Sequence, residues 1–253
     1  MKNIVIPNEV TFIESDAFKS CYSLESIEIP DKVDYIYSDT FLNCESLRYV
    51  YIGSSVTNIY HPNFNNKGLI YFNVSEKNTV YESYQGSLYL KNPSTLFKYY
   101  VNSYNDLKKG VSSISDYAFS ECNLKQINIP NSVTSIGNWS FLNCPNLKSI
   151  EIHKNIQYLG NDAFLNCNSL ESVYIDSSIY FDHRMFNNKC LTKFSILNED
   201  SPYLSYQGSL YLKNPLTLLK YYANSKEDFK SGVVSFGSES FYSSSKTSMT
   251  FPD

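Results

Sequence analysis

Leu24-Glu25-Ser26-Ile27-Glu28-Ile29-Pro30-Asp31-Lys32-Val33-Asp34-Tyr35-Ile36-Tyr37-Ser38-Asp39-Thr40-Phe41-Leu42-Asn43-Cys44 is the stretch that decides the fold. Its skeleton is L-x-x-I-x-I-P-x-x-V-x-x-I, then a small residue, Phe and Cys, and the chain repeats it about every 23 residues. Starting at Leu124, the same positions hold Ile127, Ile129, Pro130, Val133, Ile136, Ser140, Phe141 and Cys144, and Leu147 and Leu170 open further copies. A fixed period of this length marks a stack of equivalent units, each unable to bury its apolar face without a neighbour.

Within one unit, Leu24, Ile27 and Ile29 fall on one side of an extended segment, while Ser26 and Glu28 fall on the other. That period of two belongs to a strand. Pro30 ends it, having no N–H for a ladder and a fixed φ that turns the chain away. Asp39-Thr40-Phe41 and Asp162-Ala163-Phe164 begin the return side. There a small residue lets the backbone approach while the ring fills the core, and the expected form is a short helical or 3₁₀ segment.

These residues carry a resemblance to the BspA-like leucine-rich repeats: the I-x-I-P strand ends at Ile27 to Pro30 and Ile127 to Pro130, and the A-F-x-x-C signatures at Ala17 to Cys21, Ala118 to Cys122 and Ala163 to Cys167. The resemblance spans nearly the whole chain. It implies an α/β solenoid, a right-handed leucine-rich repeat array with a parallel β-sheet on the concave face and short helical or 3₁₀ convex segments. It also implies surface and adhesion roles of the kind known in mucosal bacteria and protist parasites.

A longer period lies over the first. Ser83 to Pro93 recurs letter for letter as Ser205 to Pro215. The expected plan is one solenoid over residues 1–253, with supermodules at about 1–123 and 124–253. The identical blocks interrupt the rhythm as two inserted β-hairpins at about 75–104 and 197–226. Alternation through Gly86 to Leu90, a turn at Asn92-Pro93 and a second run at Thr95 to Tyr100 predict the hairpin. It serves either as a brace extending the sheet edge or as a recognition loop carrying Tyr84, Tyr89, Tyr99 and Tyr100.

A net charge of −4 with 18% charged residues excludes the basic stripe that nucleic acid requires. No apolar run approaches the roughly 18 residues of a membrane span, and Met1 to Pro7 reads as repeat sequence rather than a signal peptide. Cys21, Cys44, Cys122, Cys144 and Cys167 share one repeat position and should stack as buried free thiols. Parallel Cβ vectors at the ~5 Å strand spacing hold them beyond the ~3.5–4.5 Å Cβ separation of a disulfide. Cys190 lies outside that column.

Chemistry is sparse. His61, His153 and His183 sit beside no nucleophile motif, and phosphate-loop, H-E-x-x-H and calcium-loop patterns are absent. Glu28 and Glu151 hold equivalent outward positions in units far apart, so they are no glycosidase pair. The expectation is a non-enzymatic chain with no metal and no cofactor.

The outward strand positions point instead to binding. They read Ser26 and Glu28, Tyr49 and Tyr51, Tyr71 and Asn73, Gln126 and Asn128, Ser149 and Glu151, Ser172 and Tyr174, Lys193 and Ser195. Tyrosine, serine and asparagine give amphipathic contact at low rotamer cost, although 23 tyrosines are spread through the chain. The candidate binding residues are Tyr49, Tyr51, Tyr71, Asn73 and Tyr174. Asn73-Val74-Ser75 and Asn138-Trp139-Ser140 match the N-glycosylation acceptor pattern.

The leading reading is a cell-surface or secreted adhesion module that engages a host or extracellular-matrix protein through its concave face. The competing reading is an intracellular scaffold or self-assembling protein. Met249 to Asp253 supplies the strand and proline of a new unit without its convex half, so an open, fraying C-terminal end that associates with another molecule is expected.

Overall fold

The structure is a computed structural model that describes residues 2–64, 70–100, 107–188, 190–222 and 229–242. A regular unit contributes two short strands, one to each of two parallel ladders. The first ladder stacks Asn3–Val5, Ser26–Ile29, Tyr49–Ile52 and Tyr71–Val74 in register, with Ile27 beside Val50 and Phe72, and Ile29 beside Ile52 and Val74. It resumes as Ser149–Ile152, Ser172–Ile175 and Lys193–Ile196. The second ladder stacks two-residue strands such as Phe12–Ile13, Tyr35–Ile36 and Asn58–Ile59. The repeat length sets this register: residues one repeat apart become cross-strand neighbours, so the Ile and Val columns close a continuous core.

The return side is not helical, which corrects both the α/β class and the expected helical segments. Among the described residues the one helix is the 3₁₀ turn His183–Phe186. Five return segments are bracketed by two residues in the left-handed region four positions apart: Asp16 and Ser20, Asp39 and Asn43, Tyr117 and Glu121, Trp139 and Asn143, Asp162 and Asn166, with φ between 50° and 63°. A left-handed residue every fourth position breaks the i→i−4 ladder before a turn of α-helix can close.

The freed N–H groups bond to the next coil instead. Phe119 N donates to Ser140 O at 2.7 Å and Glu121 N to Leu142 O at 2.9 Å, and Phe141 N and Asn143 N repeat the pattern one coil on. The stack is therefore a β-solenoid laddered on this side as well. Beneath the turns the Phe rings form columns, with Phe18 on Phe41 on Phe64 and Phe119 on Phe141 on Phe164 at centroid separations of 4.6–5.4 Å. Such pairs contribute about 0.5–1.5 kcal/mol each beyond burial.

All six cysteines are free, and four of the five in the column are buried, with Cys21 half-buried and Cys190 exposed. The Cys44, Cys144 and Cys167 thiols donate to the carbonyls of Phe18, Phe119 and Phe141 in the preceding coil. Burial pushes the Cys44 thiol up to about 11 and Cys122 up to about 12, which keeps them protonated and unreactive.

The identical blocks form three-stranded antiparallel meanders rather than two-stranded hairpins: Tyr81–Tyr84, Ser87–Leu90 and Thr95–Lys98, then Tyr203–Tyr206, Ser209–Leu212 and Thr217–Lys220. Gln85 and Gly86 both adopt positive φ, 50° and 81°, as a two-residue hairpin loop requires. The last strand of each meander enters the second ladder, Thr95–Lys98 beside Ser113–Ile114 and Thr217–Lys220 beside Ser235–Phe236. The meanders are thus layers of the stack, and Tyr89 and Tyr99 lie inside it. Residues 101–104 and 223–226 of the expected insertions, and Met249 to Asp253 of the expected open end, lie outside the described residues.

Residues 126–129 bury Ile127 and Ile129 as the pattern requires but form no strand. Their coil follows the meander, whose last strand joins the second ladder.

Candidate protein-interaction face

The outer side of the first ladder carries every candidate residue, because alternation drives Val50, Ile52, Phe72 and Val74 inward and Tyr49, Tyr51, Tyr71 and Asn73 outward. Pairing places Tyr71 directly beside Tyr49, and Asn73 beside Tyr51. The Tyr49 and Tyr71 rings stack at 6.1 Å with planes 8° apart, and the Asn73 amide donates to the Tyr49 hydroxyl at 3.4 Å. Tyr71 is 43% exposed.

The meander completes this patch. Tyr100 meets the Tyr71 ring edge-on at 5.4 Å. Phe72 N donates to Gly86 O at 2.8 Å, docking the turn on the strand. A side chain at Gly86 would come within 2.6 Å of the Tyr71 ring, so glycine is what lets that ring lie flat against the turn. Tyr71 is therefore held from both sides, a preorganised aromatic surface with little rotamer freedom left to lose. Sequence reasoning assigned Tyr100 and Gly86 to the hairpin and missed that they buttress Tyr71; the tight Gln-Gly turn after Tyr71–Val74 was the available signal.

Tyr51 faces a different feature. It lines a cleft of about 460 Å³ on the first coils together with Asn8, Ser26 and Glu28. Glu28 is exposed and sits beside Tyr51 in the ladder. Tyr174 is separate from these residues, one supermodule further along, and lines a corresponding cleft of about 360 Å³.

The remaining sequence candidates are committed structurally. His153 Nε2 lies 3.1 Å from Pro130 O, and His183 Nε2 lies 2.9 Å from Ser238 O. His61 stacks on Phe97 at 4.6 Å, and burial lowers its pKa. Among the described residues no three His, Cys, Asp or Glu side chains gather as a metal site. No helix among them is long and apolar enough to cross a membrane. The Asn138 amide bonds to Asp116 and its carbonyl to Asn161 N, whereas Asn73 stands exposed on its strand.

Comparison with known proteins gives the following. The BspA type leucine-rich repeat region matches in six copies over residues 1–87 and 92–206. No curated protein matches. A leucine-rich repeat protein from Eubacterium ventriosum superposes with a TM-score of 0.70 at 21% identity, covering 100% of this chain and 84% of that one. The pneumococcal vaccine antigen PcpA gives 0.51 at 20% identity, covering 79% of this chain and 62% of that one. A leucine-rich repeat protein from Bacteroides ovatus gives 0.52 at 20% identity, covering 96% and 58%. The chain thus spans under two thirds of the length of the last two, and at these identities the likeness is one of fold.

Proposed function

The chain belongs to the BspA-type leucine-rich repeat family, and on that premise we propose that it is a non-enzymatic protein-binding module that works in adhesion at a cell surface. The partner is a host or extracellular-matrix protein, engaged through the outer face of the first ladder. The observation that carries this reading is the stacked and buttressed Tyr49–Tyr71 pair with Asn73 and Tyr51 beside it. Rigid aromatic side chains with polar tips on a fixed sheet are the composition of adaptable protein-binding surfaces. The fold alone would not justify the inference, since solenoids host many functions.

The test is the triple variant Tyr49→Ser, Tyr51→Ser, Tyr71→Ser, screened against extracellular-matrix proteins and host-cell surfaces. These side chains face away from the core, so circular dichroism should match the wild type. Binding should fall by tenfold or more, since aromatic anchors contribute about 2 kcal/mol or more each. Undiminished binding by a normally folded triple variant excludes this face.

A further inference from the structure

The two clefts are copies of one another. Ser26, Glu28, Tyr51 and Asn8 of the first correspond to Ser149, Glu151, Tyr174 and Asn131 of the second, each displaced by 123 positions, and in both the Glu and Tyr are ladder partners. Duplication alone does not account for the match, because neighbouring outward positions have diverged: Tyr49 has become Ser172, Asp31 has become Lys154, and Tyr71 has become Lys193.

Among the described residues Glu28 has no ion-pair partner. Lys2 pairs with Glu25 at 2.8 Å and Lys32 with Glu9 at 2.6 Å, while Lys77 acts on Asp31. Asp31, also on the cleft wall, accepts Ser54 N–H at 2.7 Å, and that bond holds its carboxyl below the usual range, so it adds a second negative charge. The second cleft differs: Lys193 places its ammonium 5.9 Å from the Tyr174 ring centroid, within cation–π range. There the chain supplies its own cation over the ring of Tyr174, the ladder partner of Glu151. In the first cleft the corresponding strand position is Tyr71, which brings none.

Resting on the reading that this face binds protein, we infer that the first cleft receives a basic side chain of the partner, its guanidinium or ammonium held between the Glu28 carboxylate and the Tyr51 ring. The cavity of about 460 Å³ accommodates the aliphatic stem as well as the head group, and Ser26 and Asn8 offer further acceptors. Arginine fits best, since its planar group pairs with a carboxylate and stacks on an aromatic ring at once.

The probe is the capped tripeptide acetyl-Gly-Arg-Gly-amide, with its uncharged citrulline counterpart as control, titrated by NMR. The arginine peptide should shift resonances around Glu28 and Tyr51, and the citrulline peptide should bind roughly tenfold more weakly or not at all. Glu28→Gln should weaken arginine binding by a similar factor, whereas Glu45→Gln, the same charge change in the turn after Cys44, should not. Tyr71→Lys, which gives the first cleft an internal cation, should also reduce binding. Lys193→Tyr should open the second cleft and raise the stoichiometry from one to two. Equal response to arginine and citrulline, equal loss in Glu28→Gln and Glu45→Gln, or stronger perturbation of the cleft by methyl glucoside overturns the assignment. Loss of protein binding in the triple tyrosine variant with wild-type tripeptide binding in Glu28→Gln would leave the binding face standing and remove only the basic-residue cleft.

Discussion

Lys98 and Lys220 occupy equivalent places at the end of each meander, and both are buried. A meander sends Tyr99 N or Tyr221 N to the turn of the next coil but has no return turn of its own to supply the further N–H groups, which leaves that coil's carbonyls open to a side-chain donor. Lys98 supplies it, donating to Tyr117 O and Ser120 O at 3.2 Å and to Ser120 Oγ at 2.9 Å. Lys220 donates to Glu239 O at 3.2 Å and to the Asn187 side chain. Burial lowers both pKa values, Lys220 to about 8 from 10.5. Between those two values the folded chain binds fewer protons at this site than the unfolded chain, so stability rises with pH across the window. Below about 8 both states are protonated and the site contributes no slope. Urea titrations at pH 7, 8, 9 and 10 should therefore show a smaller alkaline gain for Lys220→Met than for wild type. Parallel curves would mean that Lys220 keeps an ordinary pKa. Taking the difference between variant and parent removes the opposing effect of the buried tyrosines, which burial pushes up, Tyr89 to about 12.

At the scale of the element, the strands were legible because Ile, Val and Leu alternate with polar residues and a proline stops the run. The return segments were not. Asp, Ser, Asn, Glu, Tyr and Trp all occupy the left-handed positions, so no residue type announces them, and a compact apolar segment reads as helix. The first meander strand, Tyr81–Tyr84, was hidden because Glu82 and Ser83 interrupt its apolar pattern. Of the proposed binding face, the outward tyrosines followed from alternation alone, whereas their buttress by Tyr100 and Gly86 depends on the meander docking against a strand ten or more residues earlier. Two glycines separate the effects at work in that turn. Gly86 and Gly110 share a φ of 81°, but a side chain at Gly110 meets nothing within 4 Å, whereas one at Gly86 strikes Tyr71 and Tyr100. Gly110→Ala should cost only the left-handed backbone preference, about 1–2 kcal/mol. Gly86→Ala should cost more and should also weaken partner binding by displacing Tyr71. Chemical denaturation of both variants checks the order, and equal destabilisation would mean that the Tyr71 ring is free to move aside.

At the scale of the molecule, the two meanders act as walls with two apolar faces. Successive strand residues point in opposite directions. Accordingly Leu88 and Phe97 pack into the cluster built on Ile27, Val50 and Phe72, while Tyr89 and Leu96 pack into the one built on Phe141, Ile150 and Val173. The second meander divides its residues the same way: Leu210 and Leu219 face back into that middle cluster, and Tyr211 and Leu218 face forward to Tyr221 and Phe229. A stack whose stability is a sum of unit and interface contributions should open at such walls, because the buried apolar clusters on their two sides are separate and only edge contacts such as His61 with Tyr117 and His183 with Ser238 bypass the meander. Leu88→Ala and Leu96→Ala remove comparable buried volume, about 2–5 kcal/mol each, from opposite faces of one wall. Native-state hydrogen exchange should show Leu88→Ala accelerating exchange in Ser26–Ile29, Tyr49–Ile52 and Tyr71–Val74 while Ser149–Ile152 and Ser172–Ile175 keep their protection. Leu96→Ala should produce the reverse. Acceleration spread evenly over both sets by either variant would mean that the meander couples the two clusters into one cooperative unit rather than dividing them.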